Sequence, residues 1–451
     1  MISQILGIAR NTLVESLRQP IFFVMVVACG LLQWFNTASA AYSMGYSTSA
    51  EVSGDDKLLL DIGMGTIFLF GTLLAAFQAT AVISREIVDK TVLTVVAKPV
   101  ARPTIILGKY LGVVTAILMA VIVMITFLLF GIRHEVMSTA SDDFDMPVVV
   151  FAGSAVAISF AVAVFGNFFY GWSFPQVALT VMVPLVPAAY VATLLFNKEW
   201  EVQPIGTDFK PAVLVACLSL AMAIMVLTAI ATAVSTRLGQ VMTIVVCSGV
   251  FVIGLLSNHL LGRVAFQNEF VAIIESAEAQ EPRFEPFDRP QAAYDIRFVT
   301  FPEAPLDPGT SIWYGPSPTG IAMAVPAFEP FEGDPNDPRV IGDQSTPPAV
   351  IVSESAGRSA VFQQAGGLAL SVERPPREGD YIFLQPTQTN PVALGAWSVV
   401  PNMHYFWLLD AVTQNRAVPS EHLVRIAAYS ALQIGVFLSL AVILFQRRDV
   451  G

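Results

Sequence analysis

The residues best able to bind a metal or attack a bond are four histidines (His134, His259, His404, His422), three cysteines (Cys29, Cys217, Cys247) and the acidic run Glu332-Gly333-Asp334-Pro335-Asn336-Asp337. None of them has the spacing such chemistry needs. The histidines form no local ligand pair and read as independent residues at a membrane boundary. The acidic run lacks a bidentate Glu at the offset a calcium loop requires, and its prolines suit a solvated turn. The cysteines all fall in apolar stretches, which fits buried thiols rather than a disulfide framework or a zinc site. No Ser, His and Asp set and no Cys and His set assembles on one side of a membrane. A G-x-x-x-x-G-K-[ST] phosphate loop is also absent, since Gly108-Lys109 is followed by Tyr110. The sequence therefore assigns no catalytic, cofactor or metal site to this chain.

One stretch has the character of a working surface. Ser84 to Lys109, SREIVDKTVLTVVAKPVARPTIILGK, carries Arg85, Lys90, Lys98, Arg102 and Lys109 between two segments long enough to cross a bilayer. Short loops rich in Lys and Arg stay in the cytoplasm. Val88, Val92, Val95 and Val96 recur at helical spacing, and Lys98-Pro99 marks a stop. A partly apolar helix held just below the membrane is a surface another protein can grip.

The elements that position this stretch follow from composition. The chain is 451 residues long, 55% hydrophobic and 13% charged, far too apolar for an ordinary soluble protein. Its net charge of −11 argues against nucleic acid as a partner. Residues 1–19 predict an amphipathic interfacial helix with Ile5, Ile8 or Ala9, Leu13 and Leu17 on one face. Spans are expected at about 20–38, 62–83, 104–131, 148–171, 175–196, 211–234, 239–262 and 423–445, each near the ~20 residues that cross ~30 Å of hydrocarbon. These fall into a first hairpin (20–83), a cytoplasmic loop (84–103), spans three to seven (104–262) and a last span with its tail (423–451). Small residues near Cys29 and Ala38-Ser39-Ala40 loosely resemble cleavage sites, but a retained first span is the preferred reading. The aromatics Phe168, Phe169, Tyr170, Trp172 and Phe174 read as an interfacial belt between two spans, with a re-entrant hairpin as the alternative. The span interiors carry essentially no charge, against an ion-coupled carrier. Gln78 and Asn167 read as helix–helix contacts.

Between Arg263 and His422 the composition changes. This stretch has nine Arg, no Lys and twenty Asp or Glu, so it holds the whole net charge. Prolines punctuate short strand-like segments such as Ala349–Val352 and Tyr381–Leu384, with a helix possible at 264–279. An acidic, mainly β and loop domain at 263–422 suits the extracytoplasmic side. Arg447-Arg448 directly after the last span places both termini in the cytoplasm.

Taken together, Glu86, Lys90-Thr91, Lys98-Pro99-Val100-Ala101-Arg102 and Leu107-Gly108-Lys109-Tyr110-Leu111-Gly112 resemble the first cytoplasmic loop of ABC-2 type transporter permeases. Lys90 stands where many relatives carry Gly. The opening amphipathic helix, the Ser235-Thr236-Arg237 turn, Pro401–Phe406 and the Phe445–Asp449 ending are similar to the same family. The resemblance implies an α-helical polytopic membrane protein of about eight transmembrane helices, the permease subunit of an ATP-driven transporter in the cell (inner) membrane. It implies a coupling site at Glu86, Lys90, Thr91, Lys98, Pro99 and Arg102 that docks on an ABC ATP-binding subunit present in two copies. ATP and Mg would be bound by that partner, with a second permease subunit, expected to be a copy of this chain, completing the complex. Glu86 would contact the ATPase or Arg102, or be a solvated charge; Lys98 and Arg102 could equally anchor lipid headgroups. Export and mechanical work on an outer-side substrate both fit. A non-transporting membrane scaffold whose outer domain binds a protein or glycan is the alternative.

Overall fold

The computed structural model describes residues 2–40, 50–84, 101–135, 144–280, 292–316, 325, 331, 333–335, 337–343, 349–366, 374–408 and 420–447. It divides into two compact units, Met1–Val252 with Met403–Gly451, and Ile253–Asn402.

The first unit is a helical bundle: α1 (Ile2–Arg18), α2 (Pro20–Ala40), α3 (Ala50–Ala79), α4 (Arg102–His134), α5 (Met146–Tyr170), α6 (Phe174–Leu194), α7 (Pro211–Ser235), α8 (Gln240–Ser257) and α9 (Ser420–Gln446). Among the described residues, eight helices are long and apolar enough to cross a membrane. The chain is a multi-pass membrane protein. Both α5 and α6 have that length, as two full spans require. The α3 helix begins at Ala50, twelve residues before the expected span. It therefore takes in Asp55, Asp56 and Asp61, which precede the expected span. A helix has no reason to stop where hydrocarbon stops, because its backbone bonds are internal.

Small residues and short polar side chains hold the bundle together, as expected where lipid removes the hydrophobic drive for helices to associate. A Cβ on Gly63 of α3 would meet Leu128 Cδ1 of α4 at 2.4 Å, and one on Gly71 would meet Ile224 Cδ1 of α7 at 2.5 Å. The Gln33 and Asn36 amides of α2 donate to the carbonyl oxygens of Gly63 (2.8 Å) and Leu59 (3.0 Å) on α3. Gln78 departs from this pattern. It is fully buried, and neither amide atom has a hydrogen-bond partner among the described residues. Asn167 makes no interhelical contact in these bonds either; its Nδ2 donates to the Trp172 carbonyl, closing the α5–α6 turn where Gly171 takes φ +67°.

The second unit is built around a closed six-stranded barrel of order β2-β3-β6-β5-β4-β7. Its strands are β2 (Phe270–Ala279), β3 (Ala293–Phe298), β4 (Ser311–Gly315), β5 (Ala349–Ala356), β6 (Ser359–Ala365) and β7 (Tyr381–Phe383). A separate two-stranded ribbon pairs β1 (Phe266–Gln267) with β8 (Gln388–Thr389). The helix expected at 264–279 is corrected: only Arg263–Ala265 is helical, and Phe270–Ala279 is a strand. Ile274 pairs with Phe298 of β3 on one side, while Ile273 pairs with Tyr381 of β7 on the other. The register shifts between Phe270 and Ala272 and between Ile274 and Ser276, and bulges of this kind bend a strand enough to close a barrel. Ile274, Tyr294, Ile296, Phe298, Tyr314, Val350, Val352, Phe362 and Ile382 fill the interior. The barrel is thus a packed core rather than a channel. Tyr314 donates its hydroxyl to the Arg374 carbonyl. Burial pushes its phenol above the ordinary tyrosine value; Arg374 opposes this, while Asp380 and Tyr294 add to it.

Candidate coupling site

Of the six residues assigned to coupling, Arg102 alone is described. Residues 85–100, and with them Glu86, Lys90, Thr91, Lys98 and Pro99, lie outside the described residues. What the structure gives is the frame that holds both ends of that loop.

Upstream, α3 closes in a π-helical turn, Thr80–Ser84. Such turns leave carbonyls without their normal α-helical partners and recur at functional sites. Here Lys109, two turns into α4, sends its ammonium to the Val82 carbonyl at 2.9 Å. Lys109 is only 7% exposed, so the expectation of uncharged span interiors is corrected at this position. A cation at the C-terminal end of a helix is favoured by the helix dipole, more so when partly buried. Ile83, Ile105 and Ile106 are buried beside it.

Downstream, α4 starts after Ala101, with Pro103 in its first turn, where a missing N–H costs nothing. Arg102 donates through Nη1 to the Gln446 carbonyl at 2.7 Å, tying the loop's exit to the end of the last span. Its expected partner Glu86 lies outside the described residues. Tyr110 reaches the Met225 carbonyl of α7 (3.3 Å).

The opening helix α1 lies against the same part of α4. A Cβ on Gly108 would fall 2.8 Å from Ile8 Cβ, and one on Gly112 would fall 2.5 Å from the Ala9 carbonyl oxygen. Gly108-x-x-x-Gly112 is therefore a groove that lets two backbones touch. The face α1 buries is Thr12, Ser16 and Leu17, small and polar at the closest approach. Of the apolar face read from the sequence, Leu17 is buried and Ile5, Ile8, Ala9 and Leu13 are half-buried, while Ile2 and Leu6, outside that face, stay exposed. Arg18 of α1 also donates to Gln176 of α6 at 3.0 Å. In the Ser-Thr-Arg turn, Ser235 and Thr236 bond back to the carbonyls of Thr232 (3.0 Å) and Ala233 (2.7 Å), leaving Arg237 exposed.

The opposite end of the bundle carries a cluster the sequence did not reveal. Arg133, just beyond the end expected for the third span, belongs to the last turn of α4 and is buried. Its Nη1 meets Asp145 Oδ2 at 2.5 Å, its Nη2 donates to the Phe196 carbonyl at 3.2 Å, and its Nε sits 3.0 Å from Asp208. The last contact is an ion pair without hydrogen-bond alignment. Asp145 also caps α5, accepting from the Val148 N–H at 3.2 Å. One guanidinium thus joins α4, the start of α5 and the 197–210 connection. Nothing local in the sequence pairs Arg133 with Asp208. Among the described residues no group of three or more His, Cys, Asp or Glu side chains could hold a metal ion.

Residues 6–174 match the family model of the ABC-2 family transporter protein. The ABC-2 resemblance therefore stands over α1 to the start of α6, the stretch that includes the π-helical turn, Arg102, Lys109 and the Gly108–Gly112 groove. The match covers 169 of the 451 residues and, being to a transporter family, supports a transport role. No curated protein and no solved structure matches the chain. The Ser-Thr-Arg turn, the barrel and α9 lie beyond the matched residues.

Proposed function

We propose that this chain is the permease subunit of an ATP-driven ABC-2 type transporter, coupling hydrolysis in a separate ATP-binding subunit to export or mechanical work across the membrane. The observation that carries the reading is the family match over residues 6–174, which spans a loop whose two ends are both bonded into the bundle. Force applied to 85–100 would reach α3 and α4 through Lys109 and the π-helical turn, and α9 through Arg102. Glu86, Lys90, Thr91, Lys98, Pro99 and Arg102 form the surface offered to the ATP-binding subunit. The complex contains two such subunits and a second copy of this chain. The loop and both termini face the cytoplasm, residues 263–422 face outward, and the protein resides in the cell (inner) membrane. The basic loop and the Arg447-Arg448 tail support that orientation.

Affinity purification of the full chain from native membranes tests the reading. The wild type should bring down a Walker-motif ATPase, and Glu86→Lys with Arg102→Glu should lose it. A cysteine placed at Lys98 should react with an impermeant maleimide only in inside-out vesicles; Cys29, Cys217 and Cys247 are buried and give little background. An intact complex lacking any ATPase in the wild type supports the scaffold reading instead. Labelling from the cell exterior overturns the orientation.

A further inference from the structure

We infer that the short helix Pro391–Val399 is a membrane anchor. It lies in the interface of the leaflet in which the α8 span ends, with Val392, Ala396 and Val399 against acyl chains. This goes beyond the permease reading and does not depend on it.

The sequence marks the place. The domain from Arg263 to His422 carries twenty Asp or Glu and nine Arg, yet no charged residue occurs from Tyr381 to Leu409. Within that stretch PVALGAWSV forms a helix with no buried residue. Ala393, Leu394 and Trp397 are its half-buried side, while Val392, Gly395, Ala396 and Val399 are exposed. The exposed four recur at the spacing of a single helical face. Val392 is 81% and Val399 72% exposed. A helix that faces water is polar on its outer side, whereas one apolar all round needs apolar surroundings. The chain itself leaves this face uncovered.

Its position says what covers it. Gln240–Ala265 is one of the candidate spans, and the short helix is fastened to the last part of it at both ends. The Asn390 N–H donates to the Ala265 carbonyl at 2.9 Å, and Asn402 Nδ2 donates to Asn258 Oδ1 at 2.6 Å. Between these bonds Trp397 packs edge-on against Phe266 with centroids 5.7 Å apart. A Cβ on Gly262 would fall 3.7 Å from its indole nitrogen. The helix is thereby held at the depth where a span meets the headgroups, the level at which Trp is enriched. Leu256, Leu260 and Val264, in the final turns of the same span, are exposed as well. Nine residues cover about 14 Å at ~1.5 Å per residue, too short to cross ~30 Å of hydrocarbon. The helix therefore lies along the interface rather than through it. Its backbone suits a medium without water, where unsatisfied polar groups are expensive. Of the four N–H groups that a helix start leaves open, that of Asn390 reaches Ala265 and Pro391 has none. Those of Val392 and Ala393 donate to Asn390 Oδ1 at 3.1 and 3.3 Å. Ser398 gives its proton to the Gly395 carbonyl at 2.8 Å.

The test uses the full chain reconstituted in phosphatidylcholine vesicles, with a nitroxide on a single cysteine introduced at Val392, Val399, Ile158 or Ser359. The native cysteines are buried and take up little label. Collisions of the label with oxygen, which partitions into lipid, are compared with those of a neutral nickel chelate, which stays in water. Ile158, within the α5 span and 49% exposed, is the lipid reference; Ser359, exposed on the barrel, is the water reference. Labels at Val392 and Val399 should show an oxygen-to-nickel ratio several-fold above that at Ser359. Their depths should agree, because the helix lies flat. A ratio equal to that at Ser359 leaves the face in water and overturns the anchor. Protection from both reagents overturns it too, since protein rather than lipid then covers the helix. With the label at Ala396, Val392→Glu with Val399→Glu should bring the ratio down to the Ser359 value. An unchanged ratio there means that the apolar face is not what holds the helix in the membrane, and the inference fails.

Discussion

Replacing Gly112 with alanine probes the seat of α1 on α4. The new Cβ would lie 2.5 Å from the Ala9 carbonyl oxygen and 2.6 Å from Thr12 Cβ, where ordinary contact begins at 3.4 Å. Both obstacles belong to the backbone or its first side-chain atom, so no rotamer change relieves them. The helix α1 must lift by about 1 Å, and close-packed interiors transmit such strain rather than absorb it. Overpacking of this kind costs ~1–3 kcal/mol. Alanine's better helix propensity offsets roughly 0.5–1 kcal/mol of that. The control is Gly7→Ala on α1, whose Cβ meets nothing within 4 Å and which therefore reports the propensity gain alone. Thermal melting in one detergent should place Gly112→Ala below the wild type and Gly7→Ala at or above it. Gly108→Ala, 2.8 Å from Ile8 Cβ, should fall on the same side as Gly112→Ala. If Gly112→Ala melts at or above Gly7→Ala, α1 does not rest in this groove and the reasoning fails.

Other perturbations have equally definite outcomes. Gln78→Leu removes a buried amide that bonds to nothing described, and because such a group costs about 1–3 kcal/mol, the variant should melt higher than the wild type; a lower melting point would mean the amide has a partner. Asp145→Ala strips a buried guanidinium of its nearest carboxylate and removes the α5 cap, so a loss of about 3–5 kcal/mol is expected. Arg133→Met with Asp145→Ala should recover part of that loss, and a double variant no better than the single one would count against the pair. Tyr314→Phe addresses alkaline stability. The folded state keeps the phenol proton more tightly than the unfolded chain does. The group's contribution is therefore complete below the unfolded value near 10, then declines by up to about 1.4 kcal/mol per pH unit as pH rises toward the folded value. The variant should show a shallower decline in melting temperature above pH 10, and parallel curves would exclude Tyr314 as the source.

The parts of this protein that were legible in its sequence are those written in local runs. Each membrane-crossing helix is an apolar stretch of the right length, and the ends fell within a few residues except at Ala50, where a polar extension continued the helix. Arg133 was misplaced because a basic residue after an apolar run ordinarily marks the water boundary. Two of its three partners, Phe196 and Asp208, lie 63 and 75 positions away in sequence, invisible to any local pattern. Gly108 and Gly112 were noted as part of a motif, yet their use as a groove depends on α1, a helix ~100 residues earlier that any number of surfaces could have received. The strand Phe270–Ala279 passed for a helix because Val271, Ala272 and Ile274 are adjacent or nearly so, and two bulges spoil the alternation that would have identified it. Of the coupling residues, only Arg102 can be placed, and its bond to Gln446 joins positions that no reading of neighbours connects.

The closure of the β2-β3-β6-β5-β4-β7 ring has a consequence for how this domain can evolve and be recruited. Every strand already has a neighbour on both sides, so no visitor can extend this sheet by adding a strand of its own. Recognition at the barrel must go through side chains on its outer wall and through its connecting segments. These can be exchanged or lengthened without disturbing the closed core, so two proteins sharing this barrel could bind entirely different things.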